Sequence, residues 1–289
     1  MSNPLHADQP DVTAFICVDC GTQFPPSAEP PSSCPICEDD REYLNQELGQ
    51  QWTSLPELIG THHNRFDPVE PGVTRIATEP RFGIGQQAYL IETSHGNILW
   101  DLVGFVDETT IAEIQRRGGV VAIAISHPHF YTTMIVWSRA LGNVPILLHE
   151  SNRTWVMRPD AAVQFWSGDT ISPVPGINII RTGGHFPGGS VLHWDNARHD
   201  ADRKGVLFSG DTVMVVADPH WVTFMYSYPN DIPLDATTVR RIASFVAPFT
   251  YDRIHDAFDK HVREDGNGTV ERSAERYIRH LEGRAGPTI

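Results

Sequence analysis

Two histidines one residue apart, His127 and His129, follow the apolar run Val120-Val121-Ala122-Ile123-Ala124-Ile125 after the single residue Ser126. Imidazole is the commonest side-chain metal donor near neutral pH, and a short β-branched run of this kind reads as a buried strand. The pair therefore stands at the carboxyl end of a strand, where open α/β sheets place their ligand sites. With 14 histidines in the chain, a chance pair of packed or solvated rings is the competing reading. A second set of donors lies near the start, in Cys17-Val18-Asp19-Cys20 and Cys34-Pro35-Ile36-Cys37, with 13 residues between the pairs. Two Cys-x-x-Cys knuckles at about this separation present four thiolates to one tetrahedral ion, as in a zinc ribbon or a rubredoxin-like site. Zinc is the expected occupant of Cys17, Cys20, Cys34 and Cys37, with iron as the alternative. Two disulfides would require an oxidising compartment, to which nothing else in the sequence points.

Three further segments belong with predicted strands: Ile98-Leu99-Trp100-Asp101, Thr182-Gly183-Gly184-His185-Phe186-Pro187-Gly188, and Val206-Leu207-Phe208-Ser209-Gly210-Asp211-Thr212. With His127-Pro128-His129, this succession resembles the metallo-β-lactamase superfamily over residues 83–261. The resemblance implies an α/β fold, a four-layer αββα sandwich. It carries His127 and His129 over as metal ligands, His185 as a third ligand from a Gly-His-x-x-Gly motif, and Asp211 as a carboxylate ligand. It also implies that Asp101 orients a ligand histidine from behind. The superfamily's last ligand histidine follows its final strand, for which His261 and His255 are the candidates, neither inside a matching motif. His149 ends another predicted strand and is a candidate contact without a counterpart in the superfamily's pattern.

The first motif of the superfamily reads His-x-His-x-Asp-His; here Tyr131 and Thr132 occupy the last two positions. Both are poor ligands at neutral pH, since a free phenol titrates near ~10, so a single tightly held zinc is expected. Tyr131 then becomes a candidate hydrogen-bond donor to a developing oxyanion, or else a packing residue. Zinc in a set of three imidazoles and a carboxylate keeps a position open for water and lowers its pKa toward ~7. The implied chemistry is hydrolysis of an ester, thioester, lactone or amide carbonyl, with Asp211 and Tyr131 nearest to it. A catalytically degenerate metal-binding or sensor protein and an iron-based redox protein are the alternatives.

The elements that must position these groups follow from periodicity. Residues 87–92 and 97–101 read as a strand pair, 109–117 as a helix closed by Gly118-Gly119, 133–141 as a helix, and 144–148 as a strand. Strands at 176–181 and 190–194 flank His185. Val239, Ile242, Ala243 and Val246 mark a core-facing helix over 236–246, and a strand at 252–258 precedes an amphipathic helix at 270–281. Residues 41–80, with His62 and His63, read as irregular; 195–204 as a hairpin tip; and the aromatic segment 219–230 as a cleft wall or a hydrophobic lid. The expected division is a four-cysteine zinc-ribbon or rubredoxin-like module over 1–50 and a metallo-β-lactamase-like domain over 51–289.

Composition bounds the function. A chain 40% hydrophobic buries a sizeable core, and its net charge of −14 argues against a nucleic-acid or anionic-membrane surface. No apolar stretch approaches the ~20 residues of a membrane span, and residues 1–11 lack the pattern of a signal peptide. A cytoplasmic protein with a small-molecule substrate is expected.

Overall fold

The computed structural model describes residues 12–195 and 204–284. The N-terminal stretch read for a signal and nearly all of the expected hairpin tip lie outside the described residues. Two compact units divide the chain, Met1–Trp166 and Ser167–Ile289.

The first unit is built on a seven-stranded sheet in the order His63–Glu70, Val73–Glu79, Ala88–Ile91, Ile98–Trp100, Ala122–Ala124, Ile146–His149 and Val163–Trp166. Pairing is antiparallel as far as Ile98–Trp100 and parallel beyond it. The parallel strands are short apolar runs because helical crossovers cover them; Leu99, Ile123 and Ile146 are fully buried, each worth roughly 1.5–3 kcal/mol against exposure. The crossover helix Glu108–Arg116 starts where the Asp107 carboxylate accepts from the Thr110 amide at 2.8 Å, and Gly118 and Gly119, both at positive φ, end it. The next crossover, Met134–Ala140, buries residues on nearly every face, including Trp137, whose indole donates to the Val103 carbonyl.

Residues 41–80 are more ordered than the sequence suggests. They include the hairpin of His63–Glu70 with Val73–Glu79, the outer edge of the sheet. The first of these strands is half-exposed and charged, and Arg75 and Arg65 both bridge to Asp67. Charge on an edge strand protects it against further pairing, and the same charge erases the apolar alternation that would have announced it. In the four-cysteine segment, Ile16–Cys17 pairs with Trp52–Thr53, which closes the loop that carries the knuckles.

The second unit holds a six-stranded sheet, Thr170–Ile171, Ile177–Arg181, Ser190–Trp194, Gly205–Gly210, Tyr251–Asp256 and His261–Val262. One pairing is parallel, Gly205–Gly210 with Tyr251–Asp256. The helix Ala236–Val246 buries Val239, Ile242 and Val246, as its spacing requires, and Asp235 caps it by accepting from the Thr237 and Thr238 amides. These residues join Ile180, Leu207 and Ile254 in one core cluster. The closing helix runs Gly266–Leu281, starting four residues before the predicted onset because its first turn is polar and carries no apolar period. The aromatic segment forms short strands, Val222–Thr223 and Met225–Ser227, with Val222 and Phe224 inside the same core. Among the described residues no helix is long and apolar enough to cross a membrane.

Candidate metal centre

Strand ends of the first unit carry its donors. After Ala122–Ala124 the chain turns through the 3₁₀ segment Pro128–Phe130, which starts on His127 with extended backbone. Pro128 is suited to the first position of such a turn, and the turn brings the His127 and His129 rings to a centroid separation of 5.1 Å. Both rings are buried. Nδ1 of His127 lies 2.9 Å from the Ser126 hydroxyl, and Nδ1 of His129 lies 4.0 Å from a Glu42 carboxylate oxygen. Each ring thus has its Nδ1 near a protein oxygen, at hydrogen-bond distance for His127 and at ion-pair distance for His129.

Asp101 follows the neighbouring strand Ile98–Trp100. Its Oδ1 accepts from the Ser126 amide at 2.7 Å, and its own amide donates to the Ala124 carbonyl. The carboxylate therefore fixes the backbone immediately before His127. Asp101 takes φ 56°, a left-handed conformation that Asp tolerates better than most residues.

The second unit repeats the layout. His185 follows Ile177–Arg181 through a loop in which the Thr182 and Gly183 amides both donate to the Gly189 carbonyl at 2.9 Å. At Gly184 φ is +94°, a conformation that residues with a Cβ rarely adopt, and the loop lies close enough to the helix that a Cβ would press on Ile242 Cδ1 at 2.9 Å. His185 Nδ1 donates to the Tyr226 carbonyl at 2.6 Å, which leaves Nε2 as the lone-pair nitrogen; it lies 3.9 Å from Asp211 Oδ2. Asp211 follows Gly205–Gly210, and its backbone carbonyl accepts from the Tyr228 hydroxyl at 2.6 Å. Burial, and then the nearby Asp211 charge, push the Tyr228 phenol well above its usual range, so it stays a donor. The aromatic segment thus braces both His185 and Asp211, a role its spacing does not announce.

One ligand atom from each of His127, His129, His185 and Asp211 lies within 4.8 Å of the others, and all four residues are buried. Two donors sharing a tetrahedral ion at ~2.0–2.1 Å stand about 3.3 Å apart, so these separations suit an ion after modest tightening. The donor set is neutral nitrogen with a carboxylate, which suits zinc and its neighbours in the divalent series.

Among the described residues, the four cysteines form a second group of this kind. All are free and buried. Cys17 and Cys37 Sγ lie 3.6 Å apart, as do Cys20 and Cys34, far beyond a disulfide bond and near the ~3.8 Å edge of a tetrahedral zinc–thiolate site. Hydrogen bonds from Cys20, Cys34 and Cys37 pull the Cys17 thiol far below its usual range, while burial pushes Cys20 up. Gln50 ties the group together, donating to Cys17 Sγ at 3.2 Å and accepting from the Cys34 amide at 3.0 Å.

His149 and His261 are not among the four residues brought together. His149 closes Ile146–His149, where its Nδ1 accepts from the Ser151 amide and its ring meets Trp166 edge-on. His261 meets the His255 ring edge-on, with 2.9 Å between their Nδ1 atoms, and its Nε2 lies 3.3 Å from Asp259. Tyr131 is buried; burial drives its phenol far above the usual range, and Asn152 hydrogen-bonds it.

No family model matches the chain. Among solved structures of similar fold, VMB-1 superimposes with a TM-score of 0.56 at 11% identity, covering 77% of this chain and 99% of that one. The DIM-1 metallo-β-lactamase gives 0.55 at 12% identity with the same coverage, and the mono-zinc form of FIM-1 from Pseudomonas aeruginosa gives 0.52 at 13%, covering 74% and 96%. In sequence, the uncharacterized protein YmaE of Bacillus subtilis (strain 168) is 45% identical over 269 residues, 92% of this chain and 96% of that protein. Donors at the carboxyl ends of strands, the shared topology and this identity together place the chain: it has the metallo-β-lactamase fold, preceded by a four-cysteine module, and belongs to the family of YmaE.

Proposed function

We propose that the chain is a metal-dependent hydrolase in which His127, His129, His185 and Asp211 hold one zinc ion and a small-molecule ester, thioester, lactone or amide is the substrate. The observation that carries this reading is the convergence of three imidazoles and a carboxylate, all buried, within 4.8 Å. An ion held there supplies Lewis acidity, lowering the pKa of a water toward ~7 and polarising a carbonyl oxygen. The protein's own part is orientation. The Tyr226 carbonyl holds the His185 ring, the Ser126 hydroxyl meets the His127 ring, and Asp101 holds the backbone that carries it.

Tyr131 stands where the superfamily's second ion would find a ligand, and a buried, protonated phenol favours a single ion. With Asn152 bonded to its oxygen, its proton serves as a donor to developing negative charge on a substrate oxygen. The four-cysteine module holds a second zinc with a structural role, and four free thiols suit a reducing compartment such as the cytoplasm.

Metal analysis and a substrate screen test the reading. About two zinc ions per chain are expected, with hydrolysis in the parent and a loss of about 10²-fold or more in His127→Ala. Two zinc ions with no turnover on any carbonyl class would instead mark a metal-binding sensor, and iron with visible absorption a redox protein. Hydrolysis as fast in His127→Ala as in the parent would overturn the assignment to this site.

A further inference from the structure

The four-cysteine module reaches past its own ligands. From Cys34 the chain turns tightly, the Cys37 and Glu38 amides both donating to the Cys34 carbonyl at 3.0 and 3.1 Å. A second turn follows, closed by the Glu42 amide on the Asp39 carbonyl at 3.0 Å. Arg41 pins that turn from the side. It pairs with Asp39 through two nitrogens, and its guanidinium lies over the Trp155 ring at 5.1 Å. Trp155 in turn packs against the cysteine cluster. The product of this rigid succession is the Glu42 carboxylate, 9% exposed and 4.0 Å from Nδ1 of His129, itself 3% exposed. The module also grips the next residues of the same segment, the Gln23 amide donating to the Thr132 carbonyl at 3.2 Å, and Thr132 holds φ 39°.

We propose that Glu42 is a positioning residue for His129, and that the four-cysteine module exists in part to deliver it. A carboxylate at Nδ1 favours the proton on that nitrogen, keeps Nε2 as the ligand and raises its basicity. Glu42 Oε1 accepts from the Tyr43 amide at 3.3 Å, and its Oε2, removed from water, gains from a nearby donor such as an imidazole N–H. Glu42 and Cys37 are five residues apart, so an ion at the cysteines fixes the stretch that aims the carboxylate, and the two metal sites are mechanically linked.

The inference depends on the histidine site proposed above, and cobalt binding separates the two. The full chain, stripped of metal and titrated with Co²⁺, reports its cysteine site by thiolate charge-transfer absorption and its histidine site by weaker visible bands and by chelator competition. A parent that binds at the cysteines alone removes the histidine site and this proposal with it. Given binding at both sites, Glu42→Gln, which keeps shape but not charge, and Glu42→Ala are expected to weaken the histidine site about 10- to 100-fold. Alanine should be the worse of the two, with cysteine-site absorption unchanged in both. Histidine-site affinity within twofold of the parent in Glu42→Ala would overturn the proposal. So would equal loss at both sites, which would mark Glu42 as part of the module's fold rather than a partner of His129.

Discussion

Asp101 offers a prediction in which three substitutions rank in an unusual order. It is buried at 1% exposure, as is Ser126, and its Oδ1 accepts from the Ser126 amide at 2.7 Å. Replacing the carboxylate by a group that cannot accept leaves a buried amide without this partner, a loss of about 1.5–3 kcal/mol for a bond to a charged acceptor. The backbone adds a second effect, because φ is 56°. Alanine in the left-handed region carries a strain of about 1–2 kcal/mol, glycine carries essentially none, and asparagine tolerates the region while keeping an acceptor. Stability should therefore fall in the order parent, Asp101→Asn, Asp101→Gly, Asp101→Ala, with glycine above alanine by about 1 kcal/mol, the reverse of their order in a helix or strand interior. Urea unfolding of the metal-free chains, compared at equal m-values, measures this ranking. Alanine as stable as glycine, or all three variants within about 0.5 kcal/mol of the parent, the scatter of an ordinary surface change, would refute the reasoning.

The Glu113 carboxyl is drawn down to about 2, chiefly by its hydrogen bond from Arg116 and then by that from Arg117. A depressed carboxylate contributes stability above its ordinary value of 4.5 and loses it as pH falls toward 2. Because the ion pairs are partly solvated, the parent should exceed Glu113→Gln by about 0.5–1 kcal/mol at neutral pH, and denaturant curves from about pH 6 down to about pH 3 should show that margin shrinking. Cys20→Ser should lower zinc per chain by at least one, and limited proteolysis should then cut within residues 12–50, since a module this small is held by its metal; full zinc retention speaks against zinc at the four cysteines. Tyr131→Phe should lower kcat about 10²-fold on a confirmed substrate while zinc content and KM stay near the parent's, and an unchanged kcat would make Tyr131 a packing residue.

Much of the fold was legible along the chain because its signals are local. The unbroken apolar run before His127 announces a strand covered on both faces, and Val239, Ile242 and Val246 announce the helix that covers the second sheet. Knuckle spacing brings Cys17, Cys20, Cys34 and Cys37 together through turns of a few residues, and the motifs around His127, His185 and Asp211 mark where donors leave strands. The hairpin 63–79 carries no such signal for an equally physical reason, since a charged, half-exposed edge strand has no alternation to read.

What the tertiary structure alone decided is the environment of each donor. Tyr226 turns the His185 ring through a backbone carbonyl, a group every residue possesses, so no residue type could signal it. Tyr228 braces Asp211 in the same way, and Asp101 acts on His127 through the Ser126 amide rather than through a side-chain pattern. Glu42 meets His129 across 87 positions of sequence, a proximity created by the path of the four-cysteine module. Residue type records which atoms can bind or give a proton; only the folded backbone determines the direction in which they point.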